Sequence, residues 1–84
     1  MDLTQFLQQL DELTASAVGT FEAALDQDAL EAARIDFLGA KKGQLKAVQK
    51  HFGAVAKEDR PVAGQRFNET KQAIEAALEN AQQR

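Results

Sequence analysis

Lys41, Lys42, Lys46 and Lys50 crowd one short stretch, and Lys42, Lys46 and Lys50 repeat at i, i+4 and i+8. In a helix that spacing places them on one slowly turning stripe. Like charges one turn apart repel by about 0.2–0.5 kcal/mol per pair, so the stripe gains free energy when an anion lies alongside it. The chemistry open to these residues is charge neutralisation rather than bond making. Nothing else in the chain offers more. His51 is the only histidine and there is no cysteine, so neither a His-Glu-x-x-His zinc site nor a Glu-x-x-His carboxylate bundle can be assembled, and there is no thiol nucleophile. Gly39-Ala40-Lys41-Lys42-Gly43 has glycines and lysines but not the Gly-x-x-x-x-Gly-Lys-Ser/Thr spacing of a phosphate loop. Asp11/Glu12 and Glu75/Glu79 read as solvated helix faces, and His51 as a residue suited to a helix C-terminus.

The lysines stand out because charge is unevenly distributed. Residues 1–33 carry −7, residues 34–57 carry +5 and residues 58–84 carry −1, for a net −3. By charge alone, the simplest reading is that the acidic first segment neutralises the basic second one inside a bundle; the other is that the basic zone meets an anionic partner. With 84 residues, 44% apolar and 27% charged, one small globular domain is expected, too short for a free-standing enzyme. No apolar run reaches the roughly 20 residues of a membrane span, and the start of the chain lacks the basic region of a signal peptide. A cytoplasmic protein without membrane partners is the expectation.

Three helical rods must position the lysines, at about 2–25, 28–52 and 57–84. In the first, Leu3, Phe6, Leu7, Leu10, Leu13, Ala17, Phe21, Ala24 and Leu25 follow the three-then-four rhythm of one buried face. Asp2 with Gln5, and Asp28 with Glu31, have capping-box spacing. The second rod stops at Gly53, and Ala54-Val55-Ala56 connect it to the third. Pro61 suits the first turn there, because those N–H groups have no helical acceptor. Ala63, Phe67, Thr70, Ile74, Ala77, Leu78 and Ala81 form the third face. The chain finishes at Arg84 with no capping glycine, as a helix cut short would. Short links make neighbours antiparallel. The expected fold is all-α: an antiparallel helical hairpin, or coiled coil, with an additional N-terminal helix, in a small three-helix arrangement. Either that first helix or a second copy of the chain covers the hairpin's apolar seam. All five phenylalanines sit on core faces. Gly39 and Gly43 interrupt the second rod at about 1 kcal/mol each if helical, which predicts a bend, a close contact or a ligand approach.

Arg34-x-x-Phe37-Leu38-Gly39 with Lys41-Lys42-Gly43-x-Leu45 resembles the Arg-x-x-Tyr-Leu-Gly-Lys-Lys-Gly-x-Leu stretch in the N-terminal helical domain of bacterial phenylalanyl-tRNA synthetase α subunits. A second block, Glu58-Asp59-Arg60-Pro61-x-x-Gly64-x-x-Phe67-Asn68-x-x-Lys71, is similar to the run that opens that domain's last long helix. Ala40 is an extra residue between Gly39 and the lysine pair. The resemblance covers roughly residues 29–79. It implies that residues 1–84 form a single tRNA-binding arm, touching the outer face and elbow of the phenylalanine tRNA, with the class II catalytic domain absent. It implies no enzyme activity and no cofactor in this chain. The parent phenylalanine–tRNA ligase would use ATP and Mg and pair with a β subunit as α2β2. Lys41, Lys42, Lys46 and Lys50 would meet phosphate, with Lys57, Arg60 and Arg66 next, by neutralisation and shape rather than base readout. Pairing with Glu69 or Glu75 is an equal alternative for Arg66 and Lys71. The competing function is a helical protein-interaction or self-association module that binds no nucleic acid.

Overall fold

The computed structural model describes residues 2–39 and 43–83. Within them α1 (Leu3–Ala23), α2 (Gln27–Leu38), α3 (Gln44–Lys50) and α4 (Arg60–Gln82) are joined by short links, the last of which contains two 3-10 turns, His51–Ala54 and Lys57–Asp59. No strand occurs among the described residues, and the fold is all-α.

α1 starts as its sequence dictates. The Asp2 carboxylate accepts from the Gln5 N–H at 2.8 Å, while the Gln5 side chain accepts from the Asp2 N–H at 3.3 Å, a reciprocal capping box. The helix stops at Ala23, and extended backbone at Ala24 turns Leu25 out of the apolar face to 96% exposure. The second cap differs from the expected pair. Asp26, not Asp28, caps α2, accepting from the Ala29 N–H at 2.7 Å, and Glu31 turns to Arg34 instead. Asp26→Ala should therefore cost about 1 kcal/mol in thermal unfolding, with Asp28→Ala costing less.

The rod expected from 28 to 52 is divided. α2 ends at Leu38, with Gly39 capping it in an extended conformation, and α3 starts after Gly43, which is extended as well. The Gly43 N–H donates to the Gly39 carbonyl at 3.3 Å. A Cβ on Gly39 would lie 2.4 Å from the Ile35 carbonyl oxygen, and one on Gly43 would lie 2.6 Å from both N and O of Gly39. Both glycines serve a backbone approach that no side chain permits. The rod resumes as α3 and ends in a 3-10 turn rather than running helical to Phe52. The third rod's first turn is also 3-10, so α4 proper begins at Arg60 instead of 57, with Pro61 in its opening turn.

Two contiguous clusters make the core. Phe6 and Leu10 of α1 pack with Val55 and with Ala63 at the start of α4. Leu13, Ala17 and Phe21 pack with Leu30, Ala33, Phe37 and Leu45, and with Ile74 and Leu78 far along α4. Early α1 thus meets early α4 and late α1 meets late α4, so these two helices run parallel. The broken rod α2–α3 runs against both: Phe37 stacks edge-on against Phe21 with centroids 5.8 Å apart, and Phe52 does so against Phe6 at 6.1 Å. α4 therefore lies antiparallel to α2–α3, compatible with the expected hairpin, and α1 from the same chain covers the seam. The bundle measures 43 × 21 × 15 Å. Val55, which the sequence places in a connection, is 2% exposed and plugs the end of the core.

Candidate nucleic-acid interface

α3 is only seven residues long, yet it carries two of the candidate cations. Leu45 is buried and Val48 half-buried, which fixes its inner face, and Lys46 and Lys50, one turn apart, are exposed on the other side. Lys57 is exposed at the turn into α4. Among the described residues Lys46, Lys50 and Lys57 take part in none of the ion pairs. Their neighbours Lys41 and Lys42 lie outside the described residues.

The arginines behave differently. The Arg60 guanidinium donates to the Val55 carbonyl at 3.3 Å and to the Gly53 carbonyl at 3.2 Å. These donors close the 3-10 turn over buried Val55, so Arg60 works as a clamp on the loop that precedes its own helix. Arg66 reaches Asp11 of α1 at 3.1 Å and Glu69 at 3.8 Å. The acidic leader thus engages Arg66, not the described lysines. Arg34 is bonded to Glu31 through Nε at 3.0 and 3.1 Å. That hydrogen bond holds the Glu31 carboxyl below its ordinary range and raises the Arg34 guanidinium above its own. His51 caps the C-terminus of α3, its Nδ1 lying 3.0 Å from the Gln9 amide oxygen.

Between α2–α3 and α4 runs a groove of about 810 Å³, floored by Leu45, Phe67 and Leu78, with Lys46 on one wall and Lys71 on the other. Lys71 is exposed and is in none of the ion pairs among the described residues. Reading the sequence ranks Arg66 above Lys71, and the structure reverses their availability. The missed signal is that Lys71 lies one turn beyond Phe67, on the side of α4 that faces α3, whereas Arg66 falls on the side facing α1. Among the described residues no group of His, Cys, Asp and Glu could hold a metal ion. No described helix is long and apolar enough to cross a membrane.

Among the described residues the all-helical bundle displays Lys46, Lys50, Lys57 and Lys71 outside every ion pair. Residues 25–84 match the family described as "Aminoacyl tRNA synthetase class II, N-terminal domain", and the chain belongs to that family. More particularly, it is 54% identical over 83 residues to the phenylalanine–tRNA ligase alpha subunit of Rhodopirellula baltica, covering 99% of this chain and 24% of that protein. The alpha subunit of Geobacter sulfurreducens is 42% identical over 77 residues, covering 92% of this chain and 22% of its own length. That of Cellvibrio japonicus is 40% identical over 77 residues, with 92% and 23% covered. The chain spans about a quarter of the length of these curated relatives. No solved structure gives a significant match. The likeness read from the Arg34–Leu45 and Glu58–Lys71 blocks is borne out.

Proposed function

We propose that this chain is the tRNA-binding arm of a phenylalanine–tRNA ligase alpha subunit, gripping the outer face of the phenylalanine tRNA near its elbow through phosphate contacts. The observation that supports it most is the display of Lys46, Lys50 and Lys57 on an acidic protein with no carboxylate engaged to them among the described residues. In this reading amino-acid activation, and the ATP and magnesium it uses, belong to other parts of the cytoplasmic enzyme. A β subunit is the protein partner. The 84-residue chain by itself should show no phenylalanine-dependent ATP–pyrophosphate exchange.

The test is a titration with unmodified phenylalanine tRNA across a salt series. Four neutralised phosphates give a log–log slope of roughly −3 to −4. Lys46→Gln and Lys50→Gln should each make that slope shallower by about one. Absent or salt-insensitive binding, accompanied by dimerisation at micromolar concentration, would instead establish the protein-interaction module.

A further inference from the structure

We infer that the RNA strand crosses the groove between α3 and α4, with Lys71 completing the phosphate-binding surface opposite Lys46, and that Arg66 stands outside it. This rests on the tRNA-binding reading and assigns the residues that carry it out. Lys46 and Lys71 come from different helices but line one concavity, over a floor that includes Leu45 and Phe67. Such a floor suits the aliphatic stems of two lysines whose ammonium groups stay in water. Neither lysine takes part in an ion pair among the described residues, so both ammonium groups are open to a phosphate.

The groove is also polarised along its length. Glu75 and Glu79 line it one and two turns beyond Lys71, where they repel a polyanion, and Arg34, the other cation in the lining, is already engaged by Glu31. A strand lying along the groove would run into both carboxylates. One that crosses at the level of Lys46 and Lys71 avoids them and continues over Lys50 on the crest of α3. Arg66 is directed the other way, into its contacts with Asp11 and Glu69 on the α1 side of α4. A strand held between α3 and α4 does not pass there.

The experiment is the same tRNA titration with Lys71→Gln, Lys46→Gln, their combination and Arg66→Gln, with circular dichroism confirming the fold of each. Lys71→Gln should make the log–log slope shallower by about one, the double variant by about two, and Arg66→Gln should leave it unchanged. A shallower slope for Arg66→Gln with an unchanged one for Lys71→Gln would overturn the assignment and place the RNA on the α1 side, leaving the tRNA-binding reading intact. Failure of the unsubstituted protein to bind tRNA in a salt-dependent way would remove that reading, and this inference with it.

Discussion

Phe21→Ala should cost about 3–5 kcal/mol, a large part of what a domain of this size possesses. Phe21 is fully buried, lies edge-on to Phe37 and belongs to the cluster that includes Ile74 and Leu78. It is therefore the point where the first helix, the broken rod and α4 are tied together. Removing the ring leaves a cavity that three helices would have to collapse into at once. Thermal unfolding followed by circular dichroism should show a midpoint lower by roughly 12–40 °C. Leu25→Ala, four residues on and 96% exposed, should stay within about 0.5 kcal/mol of the parent. Equal effects from the two would mean that α1 does not dock as described. The consequence extends to binding, because a seven-residue helix such as α3 is not stable alone in water. Its lysines are held in place only while the core around Phe21 and Leu45 persists.

The elements were legible where periodicity and side-chain chemistry agree. The buried faces of α1 and α4 follow from the spacing of Phe6, Leu10, Leu13, Ala17 and Phe21, and of Ala63, Thr70, Ile74 and Leu78, all of which are buried. Asp2 and Gln5 announce their own cap. Tertiary context decided the rest. Leu25 continues the apolar pattern, but extended backbone at Ala24 takes it to the surface. Val55 sits in a connection with no periodicity to flag it, and is buried because the turn folds over the end of the core. Arg60 and Arg66 look like Lys46 and Lys57 in sequence, since a charge count holds no information about partners. Arg60 is held by two carbonyls and Arg66 by a carboxylate 55 positions away. A long-range pair of that kind appears only once α1 and α4 are known to run parallel.

Gly43→Ala should cost about 1–3 kcal/mol, while Gly19→Ala should stabilise the protein by up to about 1 kcal/mol. The contrast comes from surroundings and not from backbone dihedrals, as no described glycine has positive φ. Gly19 lies within α1, and a methyl group there would meet nothing within 4 Å, so alanine simply improves helix propensity. At Gly43 the same methyl would sit 2.6 Å from the N and O of Gly39 and 3.0 Å from the Phe37 carbonyl oxygen, against backbone that cannot swing aside as a side chain can. Gly43 is the cap from which α3 starts and is bonded to Gly39 at the end of α2, so displacing it would shift the helix that carries Lys46 and Lys50. On the proposed tRNA-binding reading, Gly43→Ala should weaken that binding even at temperatures where circular dichroism shows the bundle still folded, and Gly19→Ala should leave it alone. A Gly43→Ala protein with unchanged stability and unchanged salt dependence would show that the lysines do not depend on the break in the rod.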